Sequence, residues 1–492
     1  MTSDKPIVMR RVLPWLYWAL PLLLSAVQAV FTAQSLGKIQ YEELAESVRN
    51  VYWFDQRTIY DGVSSNVGWY GLLWLTYTLF GFSLHTAKWV RLVFALLGLY
   101  AAAVLFKRYL PRQQPCLWLL ILGLSPTALY FTTLQTTFGL DLALLPVVLL
   151  LLVEAAEQPQ AGRTTLLWLA GAVSMFAALC FPIFLFYLPP LLLVAGQALW
   201  MPIETGRSKR CAVDLAALAL GFFLPLIFVL LWLKQPGLLL DDPLTGSGLF
   251  RGGGGRMTWR WPNSAIAVGQ TAYDLFFQGN SYYFRIPQSE FSLAAMLVPV
   301  AALAAFVRWG RASQPGRIVG WSLLLLSVLC VVGLTLGGGP PGIRRATPLI
   351  VACYGIAILA YRAVHDAAAP KWPRYLAWTG AGVLLAHHLA VAVPNLRFVG
   401  RQPIHDRGRW FVSQANAQAS LDDWVKRVGQ GEVLRCVDDP QQACRYSEIF
   451  GALASVQRFN QQAPASVLAV DPETGATLTL SISLWEDRRL PH

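Results

Sequence analysis

CLWLLILGLSPTALYFTTLQTTFGLDLALLPVVLLLLV, residues 116–153, contains a single charged side chain, Asp141. A soluble stretch of this length would carry about a quarter charged residues. Two apolar blocks flank a polar turn here. The acid sits near the start of the second block. Hydrocarbon offers no partner to a backbone N–H or C=O, so apolar blocks of this length read as membrane-crossing helices.

The same pattern repeats along the chain. Of 492 residues, 55% are hydrophobic and 13% charged. This composition excludes disorder, a collagen-like fibre and a small disulfide-stapled scaffold. Eleven spans are predicted: 13–35, 89–106, 116–134, 138–153, 165–182, 184–200, 212–233, 291–308, 319–337, 347–362 and 375–393. A further block, WYGLLWLTYTLFGFS at 69–83, is short and aromatic. It is predicted to be a re-entrant or surface-lying helix.

The net charge of +12 lies in the loops between blocks, because residues 395–492 are balanced, with 11 basic and 11 acidic side chains. No basic stripe interleaved with aromatics is present, so nucleic acid is not an expected partner; anionic lipid headgroups are. Lys5, Arg10, Arg11, Lys107, Arg108, Arg112, Arg163, Arg207, Lys209, Arg210, Arg311, Arg317, Lys371 and Arg374 fall on one side of the span count. The positive-inside rule then puts the N-terminus in the cytoplasm and the C-terminal tail outside. The expected organisation is a transmembrane domain, 1–394, with exported loops 37–88 and 234–290, followed by a soluble extracytoplasmic α/β domain, 395–492. Short loops and a signal-less first span suit a bacterial plasma (inner) membrane.

Within the exported parts, YEELAESVRN (41–50) reads as an amphipathic helix. Tyr41, Leu44, Ala45 and Val48 share one face, and Glu46 is expected in solvent. In the tail, 419–428 reads as a helix capped by Ser420, 446–459 as a second helix, and EVLRCV, ASVLAV and ATLTLSISL as strands. The GGGG run at 252–255 reads as a hinge, since no Lys and Ser or Thr follow to make a phosphate cradle. Cys436 and Cys444 could pair if the tail is exported. His387 and His388 fall in a predicted span on different helix faces and are not expected to share a metal ion.

Four stretches resemble the GT-C superfamily of integral-membrane glycosyltransferases, in the branch of protein mannosyltransferases and aminoarabinose transferases. The first is the acidic pair Glu42-Glu43 after the first span, and the second is WYGLLWLTYTLFGFSLHTAKWVRLVFALLGLY (69–100) with Arg91. The third is SPTALYFTTLQTTFGLDLALL (125–145) with Asp141, and the fourth is GIRRATPLIVACYGIAILA (342–360). The resemblance spans about residues 10–395. Glu42 stands where the family usually has Asp, and Asn66-Val67-Gly68 replaces its (H/K)-P-P.

The resemblance implies a GT-C-like fold and transfer of a sugar from a polyprenyl-phosphate donor to a lipid, glycan or protein acceptor, with inversion, at the extracytoplasmic face. It implies Glu42, then Glu43, then Asp55 or Asp61 as general base. Asp141 would orient the acceptor or a divalent metal ion, and metal dependence is left open. Arg344, Arg345, Arg91 and Arg285 would hold the donor phosphate, with Arg256, Arg260 and His85 as weaker candidates. The alternative classes are a transporter or lipid-linked-sugar flippase, and a non-catalytic membrane scaffold. No internal repeat of the kind such carriers often show is evident.

Overall fold

The computed structural model describes residues 7–36, 44–58, 66–110, 114–200, 208–236, 314–336, 347–366, 371–401, 416–433, 452–464, 466–470 and 477–481. Glu42, Glu43, Asp61, Arg256, Arg260, Arg285, Arg344, Arg345, Cys436, Cys444, the span expected at 291–308 and the GGGG run all lie outside these residues.

The chain is an integral multi-pass membrane protein. Among the described residues six helices are long and apolar enough to cross a membrane, or up to seven if a bent pair counts as one span. Helix α1 covers Ile7–Ser35. A widened, π-helical turn at Ala45–Arg49 leads into α2, Asn50–Asp55, and then α3, Val67–Phe80. At 14 residues, α3 is about 21 Å long, short of the roughly 30 Å hydrocarbon core. Trp69, Tyr70, Leu73 and Tyr77 on α3 are buried, whereas Leu79 and Phe80 at its end are exposed.

Helix α4 covers Thr86–Tyr109, 24 residues. The expected single span 116–134 is instead two helices, α5 (Gln114–Gly123) and α6 (Pro126–Thr132), bent by 49°. The cause is local. Pro126 has no N–H to continue the ladder, and the Ser125 hydroxyl restarts the helix by accepting from the Ala128 N–H at 3.2 Å. Next come α7 (Leu140–Glu157), α8 (Gln160–Cys180), a 3-10 turn Pro182–Tyr187, α9 (Leu188–Trp200) and α10 (Ser208–Trp232). Helices α11 (Gln314–Leu336), α12 (Thr347–Asp366) and α13 (Lys371–Arg401) follow. The last runs well past the expected end at 393.

Helix α4 packs against α1 and α7, α7 against α8, and α8 against α10. The α8–α10 contact is backbone on backbone. A Cβ at Gly221 would stand 2.0 Å from the Trp168 carbonyl oxygen, and one at Gly171 would stand 2.2 Å from that of Leu218. Without lipid-excluding force between helices, such close approach by small residues is what holds them together.

In the tail, α14 spans Ala417–Gly429. Its cap is Asn416, whose side chain accepts from the Ala419 N–H at 3.1 Å, and not the expected Ser420. Residues 452–455 are helical and pass into a second wide turn, Val456–Asn460. Strands β1 (Ser466–Val470) and β2 (Thr477–Ser481) form an antiparallel pair with Leu468 opposite Thr479. EVLRCV falls almost wholly outside the described residues.

The tail docks onto the bundle through the turn that joins α3 to α4. Asn460 accepts from the Phe82 N–H at 2.6 Å and donates to the Phe82 carbonyl at 2.9 Å. Gln418 accepts from the Leu84 N–H at 2.8 Å. Leu421, Trp424 and Val428 of α14 join the same apolar core as α2 and α3.

Candidate functional site

Asp141 lies in the first turn of α7, where helix N–H dipoles favour an anion. Gly139 precedes it with φ +79°, a left-handed conformation, and a Cβ there would stand 2.4 Å from the Phe131 ring. The Asp141 side chain is 1% exposed. Its Oδ2 accepts from the Tyr187 hydroxyl at 2.7 Å and from the Thr347 hydroxyl. Its Oδ1 is buried with no hydrogen-bond partner among the described residues. Three elements thus converge on one carboxylate: the start of α7, the end of the 3-10 turn, and the first residue of α12. An intramembrane acid needs partners of this kind.

The segment between α6 and α7 delivers Asp141, and side chains hold its backbone from several directions. Thr32 donates to the Thr132 carbonyl at 3.0 Å and Ser35 to that of Thr133 at 3.1 Å. Arg91 donates to the carbonyls of Thr136 and Phe138. Between these two, the Thr137 N–H donates to Glu46 Oε2 at 3.1 Å. Lys88, fully buried, donates to the Ser35 carbonyl at 2.6 Å and to its hydroxyl at 3.2 Å. Glu46 therefore corrects the sequence reading: it is buried, not solvated. The wide turn of Ala45–Arg49 departs from the 3.6-residue period on which the outward placement of Glu46 depended.

Beside this segment lies an apolar cavity of about 260 Å³. Arg91, Ala95, Gly98, Leu99, Ala102 and Phe106 of α4 line it on one helix face. From Arg91 to Phe106 the groove follows α4 for about 22 Å. Leu140, Leu142 and Pro146 of α7 and Tyr354 of α12 also line it. Asp141 is not among the lining residues, although both its neighbours are.

Among the described residues, the remaining candidates Asp55, His85, His387 and His388 have partners of their own, and none of these is Asp141. Asp55 is engaged elsewhere: it accepts from Trp74 Nε1 at 2.8 Å and pairs with Arg458 at 2.8 and 3.1 Å, tying the tail to α2. The Arg458 guanidinium is pushed further up by this hydrogen bond to Asp55. His85 sits in the turn before α4, where partial burial, then the Lys88 charge, lower its pKa. His387 and His388 do not diverge as expected. Both are buried, with Nδ1 atoms 3.4 Å apart, and His388 Nε2 is 2.7 Å from the Tyr354 hydroxyl. Among the described residues no group of three or more His, Cys, Asp or Glu could hold a metal ion.

Sequence reasoning missed Glu46, Tyr187 and Thr347. Nothing local marks the last two, which stand 46 and 206 residues from Asp141.

The chain is similar to two crystal structures of ArnT from Cupriavidus metallidurans. To the apo state it is 14% identical, with a TM-score of 0.42 over 92% of this chain and 93% of that one. To the form bound to undecaprenyl phosphate it is 15% identical, with a TM-score of 0.40 over the same shares. No family model and no curated protein matches the sequence.

Proposed function

We propose that this chain is a membrane glycosyltransferase that moves a sugar from a polyprenyl-phosphate donor to an acceptor hydroxyl at the extracytoplasmic face, with inversion. The carrying observation is the long apolar groove with a buried arginine at one end, hydrogen-bonded to the chain segment that leads into the buried Asp141. A prenyl chain needs an apolar slot, and its phosphate needs a cation. Arg91 would sit beside that phosphate, joined by Arg344, Arg345 and Arg285. The proposed topology has eleven spans, a cytoplasmic N-terminus and an exported α/β tail, 395–492, in a bacterial inner membrane.

In the proposed reaction Glu42, with Glu43 as the next candidate, takes the acceptor's hydroxyl proton. The acceptor oxygen then forms its bond to the anomeric carbon as the bond from that carbon to the phosphate oxygen breaks. The electron pair leaves with the prenyl phosphate, where the arginines stabilise the departing charge. Asp141 orients the acceptor.

The test is sugar transfer by the purified protein in lipid nanodiscs, with a labelled polyprenyl-phosphate sugar and an envelope-lipid extract as acceptor. Ala95→Trp fills the groove one helical turn from Arg91. It should abolish transfer and retention of the labelled lipid while the protein stays folded. Unchanged lipid retention in that variant would overturn the assignment of the groove.

A further inference from the structure

We infer that Glu46 is a positioning residue: its carboxylate and the Arg91 guanidinium clamp the peptide groups of residues 136–138 from opposite sides, and so fix where α7 starts and where Asp141 stands. The inference rests on the reading of Asp141 as a site residue, and goes beyond it by giving a role to a side chain that sequence motifs leave outside the site.

The polarity of the contacts carries the argument. Over three consecutive residues the backbone presents carbonyls at Thr136 and Phe138 to a cation, and an N–H at Thr137 to an anion. A guanidinium is a fork of donors with no acceptor, and a carboxylate accepts without donating. Exchanging their places would leave all three groups without partners. A buried segment cannot turn to water for these bonds, so the side chains that supply them determine its path. Phe138 is followed by Gly139 in a left-handed conformation and then by the first turn of α7. A shift of the clamped peptides therefore moves Asp141 relative to the Tyr187 and Thr347 hydroxyls.

Glu46 is itself well anchored. Its wide turn is tied to α3 by Tyr77, whose hydroxyl donates to the Ser47 carbonyl at 2.8 Å. Next to that turn, Asn50 donates to the Tyr70 hydroxyl at 3.0 Å. Helix α3 ends at Gly81 beside Asn460, so α3 and the tail together brace the turn that presents Glu46. Single wide turns of this kind re-aim a side chain that a regular helix would point elsewhere, and they occur often at functional sites.

The experiment compares Glu46→Gln with Glu46→Leu in the full-length protein in nanodiscs. The glutamine carbonyl still accepts from the Thr137 N–H; leucine cannot. Amide hydrogen exchange across residues 134–140 is read alongside sugar transfer. The expected result is exchange and transfer within about threefold of the parent in Glu46→Gln. In Glu46→Leu, at least tenfold faster exchange at 134–140 and a matching fall in the transfer rate are expected. Transfer lost in Glu46→Gln with exchange unchanged would overturn the positioning role and make Glu46 a proton acceptor. Unchanged exchange in Glu46→Leu would also overturn it. Should the parent transfer no sugar at all, the proposed activity fails, while the exchange comparison still decides the clamp.

Discussion

Thr347→Val removes one of the two hydroxyls that reach Asp141 Oδ2 while nearly preserving side-chain volume. The carboxylate is 1% exposed, so water cannot readily replace the lost bond. Leaving a buried acceptor short of a donor costs about 1–3 kcal/mol. Tyr187→Phe removes the second donor at similar cost, so the double variant loses about 2–6 kcal/mol. That is a large part of a typical total stability of about 5–15 kcal/mol. The assay is denaturant unfolding in mixed micelles, followed by tryptophan fluorescence. The control is the same Thr347→Val change in an Asp141→Leu background, where no carboxylate awaits the hydroxyl and the substitution should cost less than about 0.5 kcal/mol. Equal costs in the two backgrounds, additive within about 0.5 kcal/mol, would refute the convergence on Asp141.

Gly221→Ala would drive a Cβ to 2.0 Å from the Trp168 carbonyl oxygen and force α8 from α10, a loss of at least about 1–3 kcal/mol in unfolding assays. Gly382→Ala meets nothing within 4 Å and should be neutral or stabilising by up to about 1 kcal/mol. Asn460→Ala strips both hydrogen bonds from Phe82 and should make the turn at 81–85 several times more sensitive to limited proteolysis. Arg427 hydrogen-bonds Glu432 and holds its carboxyl below the usual range. A depressed folded pKa means support that is present above the unfolded pKa and lost as pH falls through the folded one. The C-terminal turn of α14 should therefore lose amide protection on acidification, and protection that rises in acid would contradict the pairing.

Much of the architecture was legible in local sequence. Apolar blocks in 13–35, 165–182, 212–233 and 347–362 are helices because a bilayer accepts little else, and no distant residue had to be consulted. Asp141 stood out for the same reason: an acid opening an apolar block needs partners wherever the chain finds them. The break at Ser125-Pro126 was also present in the sequence, as a cap and a missing N–H, but the unbroken hydropathy of 116–134 concealed it.

The sequence by itself determined that the chain lives in a membrane, which apolar blocks carry most of its helices, and which buried acid had to be explained. Only tertiary structure decided what answers that acid. Tyr187 and Thr347 reach it from elements 46 and 206 residues away, and Glu46 reaches Thr137 across 91. Local periodicity places Glu46 in solvent, because a regular helix is the default for an amphipathic decapeptide. Burial of its carboxylate depends on a wide turn packed against α3. That contact contributes its free energy only after the chain has folded back on itself, so it leaves no mark on neighbouring residues.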